Sequence, residues 1–295
     1  MEKSTQEKQV CHLIYIPFTG LGKINRGDKW LANRIQVFKE YVLRSLLAQT
    51  KKEFIIWVSW RPEDRDNPMV QDLFELMKGL DGLRTIFTFA GLCFYDDKYN
   101  KDEALERLYD NLGETLPALV PYVDWADEVY MTINASDDMY ISSAVDTIQN
   151  EKFDTKAIGW TKGYIIDYAT KRTAEYNPDT IPPFFTIRFP KDIFIDPFEH
   201  MKYTKSYQSH EYIKDLGFKE LEGRGFVVGT HSENISTTWN IPYKGEEVDN
   251  SKVLLLTGNY WTEPIVMKPS KRVILRKIYN KLPCKKLIKL IYKSL

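Results

Sequence analysis

Between Cys11 and Gln149 the chain alternates short, almost wholly apolar runs with longer amphipathic ones. "HLIYIPF" (12–18) opens into the Gly-containing stretch "TGLGKINRGD", which predicts a buried strand and then a turn region. In "KWLANRIQVFKEYVLRSLLAQ" Leu31, Ile35, Phe38, Val42 and Leu46 recur at helical spacing, so a helix with one apolar face follows. "FIIWVSW" (54–60) is strand-like, "MVQDLFELMKGL" helical and "LRTIFTF" a third strand; residues 100–120 read as helix, "DEVYMTI" (127–133) as a fourth strand, and "SSAVDTIQ" begins another helix. This repeated alternation predicts an α/β fold: a Rossmann-like, mainly parallel sheet with helices on both faces. Ligands of such sheets bind at the carboxyl ends of the strands, where the strand order reverses.

The second half is less regular. Pro and aromatic clusters ("IPPFFTIRFP", "DPFEHMKY") alternate with short β-like runs ("GFVVGTH", "KVLLLTG"), and neither a repeat nor a linker interrupts them. It is expected to continue the same domain and to build the other wall of a cleft. With 295 residues and 43% hydrophobic content the chain can bury a large core. Cys11, Cys93 and Cys284 are too widely separated for a disulfide framework or a thiolate zinc site. The N-terminus is polar, without the apolar stretch of a signal peptide, and no apolar run is long enough to span a bilayer, so a cytoplasmic protein is expected.

The zero net charge hides an asymmetry. Ten of the 41 Lys and Arg lie from Lys268 to Leu295, where no Asp or Glu occurs, which leaves 31 basic against 41 acidic residues in the body. An acidic body excludes non-specific nucleic-acid binding, since phosphate contacts need a basic face.

Candidate chemistry centres on "VYMTINASDDMYISSAVDTIQ" (129–149), where Asp137 and Asp138 follow the fourth strand directly. Adjacent carboxylates there suit a hard divalent cation, Mg2+ or Mn2+, bridging the protein to a diphosphate. The competing reading is a helix cap, with Ser136, Asp137 or Asp138 capping the helix that follows. Asp96 and Asp97, beside Lys98, Lys101 and Asp102, read as a solvated loop. His231 ends the run "FVVGTH", and Asn234-Ile235-Ser236 matches a glycosylation pattern that a cytoplasmic chain does not use.

"SLLAQTKKEFIIWV" (45–58), a helix ending in Gln-Thr that leads into the second strand, resembles the family-2-like glycosyltransferases of the GT-A fold. Together with "INASDDMYISSAVDTIQ", the Trp-Leu…Arg…Phe helix that precedes it is similar to the rhamnosyltransferase-type group. The likeness covers about the first 150 residues. It implies a glycosyltransferase domain over 1–265, with a nucleotide-sugar half at about 1–150 and an acceptor half at 151–265. It also implies an Asp-x-Asp segment that holds the nucleotide-sugar diphosphate through Mg2+ or Mn2+. Ala135 stands where the first Asp of that segment is expected, which leaves Asp137 as the metal ligand, Asp138 beside it, and Asn134 and Ser136 nearby. His231 corresponds to a distal His that returns to the metal, and Pro17, Phe18, Thr19, Trp60 and Glu63 border the nucleobase and ribose. An inverting transfer of rhamnose or another hexose is implied. Arg34 would stabilise the leaving diphosphate, Asp196 or Glu199 would act as the base, and Trp160 and Tyr164 would form the wall for a saccharide or lipid-linked acceptor.

In the tail, "KRVILRKIYNKLPCKKLIKLIYKSL" (271–295), apolar residues share one face and Lys and Arg fill the rest. Such a basic amphipathic helix suits peripheral attachment to an anionic membrane, at about 1 kcal/mol per basic residue; packing on the acidic body is the other reading. Two further functions are compatible with the pattern. One is a degenerate transferase fold acting as a non-catalytic membrane-associated binding protein, and the other is a sugar-phosphate nucleotidyltransferase.

Overall fold

The computed structural model describes residues 8–19, 27–90, 101–207, 210–231, 234 and 237–260. The Asp96–Asp97 pair and the basic tail lie outside the described residues.

Strands β1 (Val10–Pro17), β2 (Ile55–Ser59), β3 (Arg84–Thr88) and β4 (Glu128–Ile133) run parallel in the order β3-β2-β1-β4. The register pairs Tyr15 with both Trp57 and Ile133. Helix α1 (Gly27–Val37) passes through a π-helical turn at Phe38–Val42 into α2 (Leu43–Leu47), and α3 (Pro68–Lys78) and α4 (Lys101–Val123) form the later crossovers. Side chains alternate across β1. Cys11, Leu13 and Tyr15 meet Leu108, Leu112, Leu116 and Leu119 of α4, while Ile14 and Ile16 meet Trp30, Leu31, Phe38, Val42 and Leu46. A strand covered on both faces has no polar side to show, which is why these strands read as near-continuous apolar runs. Each fully buried Leu or Ile contributes about 1.5–3 kcal/mol.

The π turn adds a residue and shifts the helical phase, so that two faces are buried. Phe38 and Val42 pack on the large sheet, whereas Val37 and Tyr41 pack on Tyr168 and Val227 of a second layer. Tyr41 stacks on Tyr168 with ring centroids 3.9 Å apart.

The second half adds β5 (Met139–Tyr140), α5 (Ala144–Asn150), β6 (Ala157–Gly159), β7 (Gly163–Asp167), β8 (Arg172–Tyr176) and β9 (Phe185–Pro190). These are followed by α6 (Lys191–Ile195), α7 (Pro197–Tyr203), β10 (Phe218–Glu220), β11 (Phe226–Thr230), β12 (Lys244–Val248) and α8 (Asn250–Leu256). β9 joins β4 antiparallel, and β6 and β10 follow beyond it, making seven strands in the main sheet among the described residues. Arg188 and Glu128 clasp the β4–β9 register through two hydrogen bonds of 2.8 and 2.9 Å. A second sheet has the order β12-β8-β7-β11-β5.

Two expectations change. "KVLLLTG" is not β-like: it forms α8, capped by Asp249, whose carboxylate accepts the Ser251 N–H at 2.9 Å. A short apolar run satisfies either period, and here the cap and the burial of Val253 and Leu254 favour the helix. The second half is also more than a wall, since it completes the main sheet and builds another. No helix among the described residues is long and apolar enough to cross a membrane.

Candidate active site

The chain leaves β4 at its carboxyl edge and crosses to β5 in five residues. Asn134 N–H donates to the Tyr15 carbonyl at 2.9 Å, Asp138 N–H to that of Ala135 at 3.3 Å, and the Tyr140 hydroxyl to that of Ile133 at 2.9 Å, so the segment is clasped at both ends. β5 then pairs antiparallel with β11, Met139 opposite Val227 and Tyr140 opposite Phe226. Extending that register lays Gly229 against Asp137. A Cβ on Gly229 would lie 2.1 Å from the Asp137 carbonyl oxygen, so only glycine allows this approach. Gly229 N–H in turn donates to Asp138 Oδ1 at 2.8 Å, and the Tyr168 hydroxyl donates to the Asp137 carbonyl at 2.8 Å.

The capping alternative is thereby excluded. β5 separates both carboxylates from α5, whose N-cap position is Ser143.

Asp137 Oδ2 is the focus of the site. It pairs with the Arg34 guanidinium from α1, receives Asn234 Nδ2 at 3.0 Å, and lies 3.1 Å from His231 Nε2. The Asn234 side chain also donates to the Gly229 carbonyl at 2.8 Å and accepts the His231 N–H. Arg34, Asp137, Asp138 and His231 are all buried. Burial by itself would raise the Asp137 pKa, but Arg34 and His231 outweigh it and hold the carboxyl well below the usual range. Asp138 goes the other way: burial, and then the Asp137 charge, push it well above its ordinary value. One carboxylate is thus kept ionised by a cation and its neighbour is biased to the neutral form.

Arg34, Asp137, Asp138 and Asn234 open on a cavity of about 320 Å³ at the carboxyl edge of the sheet, lined also by Ala135, Tyr176, His210 and Tyr243, with His231 buried behind it. That volume lies at the low end of the range for small-molecule sites.

The donor set does not fit the expected Mg2+ or Mn2+. The Asp137 oxygen facing His231 is already met by the Arg34 ion pair, the Asn234 amide and His231 Nε2, and among the described residues no three His, Cys, Asp or Glu side chains converge as a cation site. Asp137, Asp138 and His231, the expected metal ligands, do come together, with the Asp137 carboxylate paired to a guanidinium.

Several other expected positions are occupied by packing. Phe18 and Trp60 stack on each other at 4.2 Å inside the core, with no face left for a nucleobase. Thr19 Oγ1 accepts the Arg61 N–H at 2.9 Å, Glu63 is exposed on a 3-10 turn, and neither they nor Pro17 line the cavity. Asn134 and Ser136 are buried in the β4–β5 segment, and both side-chain atoms of the Asn134 amide have no hydrogen-bond partner among the described residues. Trp160 is buried, donates to the Glu222 carbonyl at 3.2 Å and packs face-on against Gly225, while Tyr164 lies beneath Arg224; neither lines the cavity. Asp196 caps α7 by accepting the Glu199 N–H at 2.8 Å, and Glu199 pairs with Lys202 at 3.5 Å. Since β9 ends at Pro190 opposite Glu128, α6 and α7 start from the amino edge of β4, the end away from Asp137, and neither acid is placed as a base.

Asn234, His210, Tyr176 and Tyr243 were not anticipated. The spacing His231-x-x-Asn234 carried a usable signal, because a side-chain amide three residues on can return to the His backbone. His210 carried none.

No protein-family model matches the sequence, and no curated protein does. Solved structures do overlap with it. S. aureus TarS 1-349 is 12% identical with a TM-score of 0.38, over 74% of this chain and 60% of that one. The glycosyltransferase GlyE of Streptococcus pneumoniae TIGR4 is 9% identical with a TM-score of 0.36, over 74% and 46%. The inositol-1-phosphate CTP transferase of T. maritima is 11% identical with a TM-score of 0.37, over 75% and 85%. The matched part spans less than two thirds of the TarS and GlyE chains.

Proposed function

We propose that this chain is a nucleotide-sugar-dependent glycosyltransferase that moves a hexose, rhamnose among the candidates, from a nucleoside-diphosphate donor to a saccharide or lipid-linked saccharide, with inversion. The observation that carries the reading is the convergence of Arg34, Asp137 and Asn234 on one cavity at the carboxyl edge of the parallel sheet, with His231 behind them holding Asp137. It is the position where such sheets bind nucleotides, and a buried guanidinium there suits a leaving diphosphate. The sequence likeness to the GT-A glycosyltransferases supports the same chemistry.

His210 is the base in this reading. Its Nδ1 lies 2.6 Å from the Ile181 carbonyl, which can only accept, so in the neutral imidazole Nδ1 carries the proton and Nε2 keeps its lone pair. The acceptor hydroxyl gives its proton to Nε2 as its oxygen bonds to the anomeric carbon. The bond from that carbon to the diphosphate breaks, and the electron pair leaves with the diphosphate oxygen beside Arg34. Tyr176 and Tyr243, in edge contact at 5.7 Å, form the adjoining wall.

A hydrolysis screen of the purified full chain against a panel of UDP-, GDP- and dTDP-sugars tests the proposal. Turnover of one donor above the protein-free control, lost in Asp137→Ala, is the expected result. If no nucleotide sugar is either hydrolysed or bound, the proposal fails. Membrane attachment through 271–295 is tested separately by flotation with anionic vesicles, where equal binding by the full chain and a chain lacking 271–295 removes it.

A further inference from the structure

We infer that Arg34, and not a divalent cation, supplies the positive charge that neutralises the diphosphate, so that nucleotide binding by this chain is metal-independent; this rests on the donor-site reading above. The Asp137 oxygen that faces His231, Oδ2, is already met by Arg34, by His231 Nε2 at 3.1 Å and by Asn234 Nδ2 at 3.0 Å. A divalent ion there would have to sit against a guanidinium that is only 4% exposed and backed by the Trp30 ring at 5.2 Å, which leaves it little room to withdraw. The second carboxylate is held elsewhere, with Asp138 Oδ1 accepting the Gly229 N–H at 2.8 Å, and the methyl of Ala135 lines the cavity where the family likeness would put another acid.

Arg34 meets the requirement that a metal would otherwise fill. It lines the cavity, and its Nε and Nη1 are buried without a hydrogen-bond partner among the described residues, Nη1 standing only in the ion pair with Asp137, so its donor capacity is not exhausted. A planar guanidinium fork matches two phosphate oxygens at once and stays charged at any relevant pH. Asp137 then acts as a positioning residue that aims Arg34, with His231 and Asn234 holding Asp137.

The test is calorimetric titration of the full chain with UDP and with dTDP, in EDTA and again with Mn2+. The affinity for the preferred nucleotide should differ by less than about threefold between the two buffers. An electron paramagnetic resonance titration should show no Mn2+ taken up by nucleotide-free protein. Arg34→Met should lower nucleotide affinity by at least about tenfold in both buffers. Arg34→Lys, which keeps the charge but not the fork, should recover only part, with near-UV circular dichroism checking each fold. The wild-type comparison needs no variant, so the inference stays testable even if Arg34→Met does not fold. A gain of about tenfold or more on adding Mn2+, or stoichiometric Mn2+ uptake that Asp137→Asn abolishes, overturns it. Absence of nucleotide binding in both buffers overturns the donor-site reading and this inference together, and is distinguished from failure of the inference alone by the lack of any nucleotide signal.

Discussion

Gly229→Ala isolates the contact that assembles the site. The added methyl would lie 2.1 Å from the Asp137 carbonyl oxygen and 2.4 Å from the Tyr168 hydroxyl. The first neighbour is backbone and the second is pinned by the Tyr41 stack, so neither can give way cheaply. Relieving the overlap means separating β11 from the Asp137–Asp138 segment. Overpacking of this kind costs about 1–3 kcal/mol. The same separation stretches the Gly229–Asp138 and Tyr168–Asp137 hydrogen bonds, each worth about 0.5–1.5 kcal/mol. The expected destabilisation is therefore about 2–6 kcal/mol, read as a fall in the urea midpoint at unchanged m-value. Gly113→Ala is the control: it lies within α4 with nothing inside 4 Å of the added carbon, and it should stabilise by about 1 kcal/mol. A Gly229→Ala protein within about 0.5 kcal/mol of the parent, still active, would refute the claim that this close approach builds the site.

Three further outcomes are expected. Asp137→Ala strands the buried Arg34 guanidinium and should cost about 3–5 kcal/mol, whereas Asp137→Ala with Arg34→Met should recover most of it; a double-mutant cycle measures the coupling, and strict additivity would contradict a direct pair. His200 is fully buried, with Nδ1–H donating to the Phe194 carbonyl at 2.8 Å, and burial lowers its pKa to about 4. Its unfolded value is about 6.5, so the unfolded chain binds the proton first and stability falls as pH drops from there towards 4. The loss reaches about 3 kcal/mol for this group, visible in urea midpoints against pH, and His200→Gln should flatten that slope. Finally, His210→Asn should lower kcat by about 10²–10⁴-fold while nucleotide binding, measured calorimetrically, is retained; loss of both together would assign His210 to structure.

The local patterns of the chain were enough to place β1 to β4 and their crossover helices. A strand buried on both faces must be apolar throughout, and a helix on a sheet must repeat its apolar residues every three to four positions, so both signatures are written within a dozen residues. They also sufficed to put Asp137 and Asp138 at the carboxyl edge, because that follows from the end of a strand. The interior positions of Phe18, Trp60 and Trp160 were not legible, since an aromatic residue at a strand end reads the same whether its ring meets a ligand or a neighbouring ring. What the pair of acids does was decided in space. The β5–β11 register brings His231 to Asp137 across 94 residues, and the crossover helix after β1 delivers Arg34 to the same oxygen. Long-range pairing leaves no periodic mark on either partner, so the sequence by itself determined where a charged site would form, and only the tertiary structure decided that its counter-charge is an arginine.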